Sequence, residues 1–438
     1  MLSLLNTIRD WLPSHRIRSV YVTLSISEFA TGLTTPILTF LFFSTDSGLL
    51  PIEMSMSERG VLFGLFISMF RFAGMLSNPV FGTLSDMLGR KKIIYFSVLG
   101  MFCLGFFTLI SLFIQAVWVF VIGAVIYGFL WAIRPVCSAA INDVTENDKK
   151  VKNQALLQFF IGIGAGLGPM LGGWLGNYKP FGYSYMLPFI ILLLLSIFLF
   201  VYAKMTFPET LFYKNKQDPK EYFQPKNIKE LFNNKIIYLL MIIHILDQFS
   251  WGTYYNFMPA VTKTVFGFNV TTVGIFVGLI GIWLIVSTGI LLPILQRFFS
   301  NTQLIIVSSL IGTIGVCITY AASFFPESIL AQYIIWISAL PVAAGDVILF
   351  CLLIGLFSSY VSKKYQGTIV GIIYIVGTGM WCLAAPIGGY LMKWRMNGAL
   401  ILCPISMILL LLFLKISYKK QWFNSLNQTT KNITQEEE

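Results

Sequence analysis

Apolar residues run in long stretches along this chain, and polar residues gather in the short gaps between them. A helix rises 1.5 Å per residue, so about 20 apolar residues cross roughly 30 Å of hydrocarbon. On that measure the pattern predicts twelve spans, near 18–43, 60–84, 93–113, 116–141, 155–177, 183–206, 236–259, 270–296, 303–323, 329–360, 367–392 and 396–416. The longest polar stretch, Pro208 to Lys235, divides them six and six. The predicted organisation is an all-α membrane protein. A six-helix bundle over 1–207 is followed by a linker over 208–235, a second six-helix bundle over 236–416 and a tail over 417–438.

The two halves share short pieces. The first span holds Glu28-Phe29-Ala30-Thr31-Gly32 and the seventh Gln248-Phe249-Ser250-Trp251-Gly252. The fifth holds Pro169-Met170-Leu171-Gly172-Gly173-Trp174-Leu175, and the eleventh Pro386-Ile387-Gly388-Gly389-Tyr390-Leu391. Matching halves point to a duplicated bundle with a site where the copies meet.

Composition supports the bilayer as solvent: 56% of residues are hydrophobic and 11% charged, against about 25% charged in soluble domains. Charge then sets the expected orientation. Of 30 Lys and Arg, five (Arg59, Lys179, Lys263, Lys393 and Arg395) fall on one side of the spans and 23 on the side of both termini. Cytoplasmic loops are the basic ones, so both termini are expected in the cytoplasm of a cell whose inner (plasma) membrane holds the chain. The net charge of +11 thus reflects topology rather than nucleic-acid binding. Lys214, Lys216, Lys220, Lys226, Lys229 and Lys235 make the linker a basic segment suited to an anionic leaflet.

No cleavable signal is expected, because Arg9, Asp10, His15, Arg16 and Arg18 precede any apolar run. Cys103, Cys137, Cys317, Cys351, Cys382 and Cys403 all fall in apolar stretches without metal-ligand spacing. Disulfides, a metal and a cofactor are therefore not expected. The tail ends in Glu436, Glu437 and Glu438, and the glycosylation-type triplets at Asn427 and Asn432 lie on the cytoplasmic side of this topology.

Charges inside spans are costly, at about 2.5–3.5 kcal/mol each on insertion scales, and tend to face a functional cavity. Glu28 in the first span and Arg71 in the second fall at similar depth and could pair. Glu28 is then either a proton site or half of a fixed ion pair, and Arg71 either its partner or a contact for an anionic substrate group. Asp247 in the seventh span is a proton or substrate candidate. His244, three residues earlier on the same face, is either a relay or a neutral hydrogen-bonding histidine. Asp346 in the tenth span stands beside Gly345 and after Pro341, where a broken helix would make a binding site. Trp251, Tyr254, Tyr255 and Trp381 could line a ligand cavity or simply pack.

The turn after the second span reads Gly82-Thr83-Leu84-Ser85-Asp86-Met87-Leu88-Gly89-Arg90-Lys91-Lys92. It resembles the signature loop of the major facilitator superfamily at Gly82, Asp86, Gly89, Arg90 and Lys91, and departs from it at Met87, where the family has Arg. The resemblance implies that Asp86 helps hold the halves together in one state and that Arg90 joins a charge relay, with Asp143 as partner. Gly164, Gly168, Pro169, Gly172 and Gly173 in the fifth span are similar to the Gly-Pro-x-x-Gly-Gly motif of the superfamily's antiporters. Leu130 and Arg134 are similar to a fourth-span motif whose Arg is linked to proton transfer; Cys137 and Ser138 replace its Gln and Gly. Pro208-Glu209-Thr210-Leu211 is also common in the family. The general likeness is to drug:proton antiporters of the tetracycline-exporter type.

No phosphate-cradling loop, zinc-protease motif or nucleophile elbow is present, which argues against an ATP-driven pump and an enzyme. The expected fold is two six-helix bundles rocking about a midplane cavity, functional as a monomer. Its partners would be a small-molecule substrate, protons and the lipid bilayer. The leading expectation is proton-coupled export of an amphipathic small molecule such as a drug, siderophore or metabolite. A proton symporter importing a nutrient is the alternative, and a non-transporting receptor or scaffold a third.

Overall fold

A computed structural model describes residues 17–145, 150–211, 234–360 and 366–419. The expected basic linker, apart from its ends, and the acidic tail with the Asn427 and Asn432 triplets lie outside the described residues. Among the described residues, twelve helices are long and apolar enough to cross a membrane. They are Arg18–Phe43, Met56–Leu88, Arg90–Ile114, Val117–Asp143, Leu156–Leu175, Leu187–Thr206, Lys235–Thr264, Val270–Leu295, Asn301–Ala322, Ile329–Phe357, Gly371–Leu391 and Gly398–Lys419. Helices are the open-chain solution in hydrocarbon, because they satisfy their own backbone polar groups.

Buried apolar side chains form two clusters. One is built on Tyr21, Phe42, Phe120, Phe189 and Phe207 of the first half, the other on Tyr254, Phe276, Ile335 and Phe357 of the second. The first cluster also takes in Phe257, Ala260 and Val270, so the two bundles pack against each other there. The first and seventh spans are the most enclosed, with 72% and 67% of their most apolar window buried, against 33% for the sixth and eighth. The enclosed spans carry Glu28 and Asp247, while Leu194, Phe198, Ile275 and Ile290 of the other two stay exposed, as lipid-facing side chains do.

Two spans are interrupted, and proline accounts for both. The first divides into Arg18–Gly32 and Thr35–Phe43, with Pro36 in the first turn of the second piece. The fourth divides into Val117–Leu130 and Ile133–Asp143. Pro135 has no N–H for the carbonyl four residues back, on Trp131, and its ring crowds that carbonyl. The Ala132 N–H at the break is shared between the Leu130 carbonyl at 3.0 Å and Ser97 Oγ of the third span at 3.2 Å. In the eighth span, Ser287–Leu291 widens into a π-turn just before Pro293. The tenth span, by contrast, is one helix, Ile329–Ser359, that carries Pro341 through its interior. The break expected beside Asp346 does not occur.

Close backbone approaches join the spans. In the fifth span Gly164, Gly168 and Gly172, four apart, face the first span. A Cβ on Gly164 would lie 2.6 Å from Glu28 Cβ, one on Gly168 2.6 Å from the Phe29 carbonyl, and one on Gly172 would overlap the Leu33 carbonyl. Gly173 turns the other way, where a Cβ would sit 2.5 Å from the Val270 carbonyl and 2.8 Å from Gly274 Cα in the eighth span. The fifth span is thus a two-faced wedge, one face within its own bundle and one across to the other. A matching seam joins the second and eleventh spans, where Gly60 and Gly64 meet Met392 and Gly389. Both seams lie toward the Arg59 end of the molecule. Toward the Asp86 end, Cβ atoms on Gly82, Gly289 and Gly371 would meet nothing within 4 Å. The glycine seams thus hold the bundles from the Arg59 end to mid-span, and among the described residues no glycine approach joins them at the Asp86 end, so the first is the sealed end and the second the parted one.

The sealed end is capped by loops tied to Arg59 and Asp46. Arg59 has no exposed surface and donates to the carbonyls of Phe42 at 2.9 Å, Pro51 at 2.6 Å and Met54 at 3.1 Å. The Phe42 carbonyl belongs to the end of the first span, where a cation is favoured. Tyr185 donates to Asp46 Oδ1 at 3.1 Å, and burial pushes its hydroxyl up to about 12, so it stays a donor.

Candidate functional site

Arg134 enters the central cavity because of the fourth-span break. It sits in the first turn of Ile133–Asp143, where the helix dipole opposes a cation. A carboxylate offsets this. Arg134 Nε donates to Glu28 Oε1 and Nη2 to Glu28 Oε2, each at 2.5 Å, a two-pronged charge-assisted pair. Glu28 is enclosed, with 6% of its side chain accessible, while Arg134 keeps 42% accessible. That figure, for an arginine far from either end of its span, marks a water-accessible cavity. The expected Glu28–Arg71 pair is not formed, because the first and fourth spans turn Glu28 and Arg134 toward each other. Arg71 instead reaches Asn256 Oδ1 from Nη2 at 3.4 Å and lies over Trp381, with its guanidinium carbon 4.4 Å from the ring centre.

The second half supplies a carboxylate pair. Gln248 Nε2 donates to Asp247 Oδ2 at 3.0 Å and to Asp346 Oδ1 at 3.1 Å. Its Oε1 accepts from Trp381 Nε1 at 3.1 Å. One amide thus joins the two acids to the aromatic residue that covers Arg71. Asp247, Gln248 and Asp346 are all buried. His244 is not part of this chain. Its Nε2 contacts the Ile373 carbonyl at 3.0 Å, and its buried Nδ1 has no partner. The structure does not bring it to Asp247.

At the parted end Arg90 gathers three elements. Its Nη1 lies 2.6 Å from Asp86 Oδ1, its Nε donates to Asp143 Oδ2 at 2.9 Å, and Nη1 also reaches Ser85 Oγ at 2.5 Å. Thr210 Oγ1 donates to the same Asp143 oxygen at 3.0 Å. Glu209 accepts the Arg90 N–H at 3.0 Å and the Lys91 N–H at 3.3 Å, capping the third span where free amides favour an anion. Gly89 takes φ +102° at this turn, and a Cβ there would collide with the Glu209 carboxylate. Lys91 Nζ donates to the Lys204 carbonyl at 2.9 Å. Every described partner in this network belongs to the first half, which fits an end at which the halves have separated.

Sequence reasoning singled out Asp247 and Asp346 but missed a role for Gln248, which has no charge to draw attention inside a span. It noted Glu209 only as part of a common tetrapeptide; a carboxylate following one span and able to reach the amides that open another was the available signal. Asn256 was also missed, and Arg59 was read only as a charge on the outer side, not as a buried cap. Among the described residues no cluster of three or more His, Cys, Asp or Glu could hold a metal, and the six cysteines are free.

Comparisons with known proteins bear on the family and the fold. Tetracycline resistance protein, class H, of Pasteurella multocida is 26% identical over 331 residues, which is 72% of this chain and 76% of that protein. The class B protein of Escherichia coli is 26% identical over 213 residues, 48% of this chain and about half (51%) of its own length. The crystal structure of a D-xylose-proton symporter superposes with a TM-score of 0.72 at 16% identity, covering 91% of this chain and 97% of that one. At that identity the likeness concerns the fold. The sequence profile of the Major Facilitator Superfamily matches residues 20–386. With that match across most of the chain and the two six-helix bundles described above, this protein belongs to the Major Facilitator Superfamily of membrane transporters.

Proposed function

We propose that this transporter, which by its family is not an enzyme, is a proton-coupled antiporter exporting an amphipathic small molecule by alternating access. The observation that carries the reading is the Glu28–Arg134 pair, enclosed on the carboxylate side and accessible on the guanidinium side. A proton delivered to Glu28 would dissolve the ion pair and free Arg134. Its release at the opposite face would restore the pair and reset the cavity. Asp247 and Asp346, held together by Gln248, offer a second place for a proton in the other half. The tetracycline resistance proteins among the relatives support export as the direction, and the Gly-Pro-x-x-Gly-Gly wedge supplies the seam on which the bundles would rock. In this reading residues 1–207 and 236–416 move as bodies, joined by 208–235, with the termini and the parted Asp86 end in the cytoplasm. Asp86, Arg90 and Asp143 form the latch of that end.

The test uses inside-out vesicles with an acid interior and a pH-sensitive dye. Tetracycline-like polycyclic compounds head a panel of amphipathic molecules. Wild-type vesicles are expected to release protons when a transported compound is added, and Glu28→Gln vesicles to give none. Equal release from both would remove Glu28 from the coupling step. Silence of the wild type across the panel, with uptake in intact cells, would reverse the direction.

A further inference from the structure

Arg71 lies near the middle of the second span, yet no described carboxylate forms an ion pair with it. Glu28, the acid expected for it, is held at both oxygens by Arg134, whose charge adds to the positive potential around Arg71. An unpaired cation in a span is costly and calls for a counter-charge. The hydrogen-bond count at this place is equally one-sided. Arg71 Nε is buried without a partner, and so is Asn256 Nδ2. The Asn256 amide is oriented by Arg71, since only its oxygen can accept from Nη2. The groups left over are therefore all donors. What satisfies donors beside a cation is a ligand rich in acceptors and negative in charge.

The surroundings specify the rest of that ligand. Trp381 lies 4.4 Å and Phe70 5.3 Å from the Arg71 guanidinium carbon, and Tyr255 stands 5.7 Å from Trp381 between ring centres. Flat apolar walls of this kind favour an aromatic body. Arg71 and Phe70 come from one bundle, and Asn256, Tyr255 and Trp381 from the other, so the place is assembled across the halves that must rock. We propose that Arg71 and Asn256 receive the anionic end of the transported molecule, a carboxylate or sulfonate carried on an aromatic ring system. This names the substrate class for the transport cavity proposed above and rests on that reading. The two can fail separately, because the assay below needs no gradient and no proton movement.

Purified full-length protein in nanodiscs of uncharged lipid is titrated with 2-naphthoate and with its neutral counterpart 2-naphthamide, and thermal unfolding reports binding. Wild type is expected to bind the carboxylate about tenfold or more tightly than the amide, the worth of one charge-assisted hydrogen bond or more. Arg71→Gln should abolish the preference, Arg71→Lys should keep part of it, and Asn256→Ala should weaken carboxylate binding alone. Equal binding of the two compounds by wild type, or no binding of the carboxylate, overturns the proposal. So does a preference that survives Arg71→Gln. If Arg71→Gln does not fold, Asn256→Ala decides: unchanged carboxylate affinity is then the overturning result.

Discussion

Glu28 is enclosed while Arg134 keeps 42% of its side chain open to the cavity, and that asymmetry governs how the pair responds to substitution. Removing the guanidinium leaves an unpaired carboxylate inside the first bundle, whereas removing the carboxylate leaves a cation that water can reach. Arg134→Gln is therefore expected to lower stability by about 1–3 kcal/mol, less than for a fully buried pair, and Glu28→Gln by less again. The double variant should recover part of the Arg134→Gln loss, and thermal unfolding of the four proteins in detergent measures the coupling. Additive losses would show that the pair contributes nothing as a pair. At this scale the sequence announced each mid-span charge but not its partner. Glu28 stood at equal depth to Arg71, and only the rotation of the first span, fixed by Gly164 and Gly168 against its backbone, turns it to Arg134. Gln248 entered only as part of a repeated piece, because an amide in an apolar run reads as a weak polar residue, although it is the donor that joins two acids.

Among the elements, the fourth and tenth spans show why a proline is not enough to predict a break. Both carry one, at Pro135 and Pro341, yet only the fourth span is divided. Ser97 from the third span shares the Ala132 N–H at the break with the Leu130 carbonyl. In the tenth span the neighbouring helix closes in instead, with Gly315 against Val342 and Gly312 against Gly345, and the helix runs on. Such help comes from residues distant in sequence, so span number and limits were readable from hydropathy while interruptions were not. Pro135→Ala gives the Trp131 carbonyl a helical donor, a gain of about 1 kcal/mol. The expected outcome is a thermal midpoint held or raised together with slower compound-driven proton release, because Arg134 is no longer offered from a helix start. Unchanged release would show that the break has no part in coupling.

For the whole molecule, the fold was legible because twelve apolar runs and a central polar stretch leave little else to build, and the matching pieces at Gly172-Gly173 and Gly388-Gly389 marked a repeated bundle; that Gly173 and Gly389 stand at the seams between the halves was not legible. The state of the molecule was not legible, since it depends on which end of those seams is closed. A direct check is a pair of cysteines at Gly60 and Met392, in a background lacking the six native ones. An added Cβ on Gly60 lies 2.9 Å from Met392 Cβ, so oxidation should cross-link the pair with small adjustment and block transport until reduced. Failure to cross-link would mean that the Arg59 end is open. The two ends are also built from different forces. The seams are backbone laid against backbone, held by dispersion, with no charge in them. The network at Arg90 is ionic, and Asp86 in it keeps 35% of its side chain accessible. Dissolved ions screen the second kind of contact and leave the first untouched. Ionic strength therefore loosens the charged turn within the first bundle while leaving the glycine seams between the bundles as they are.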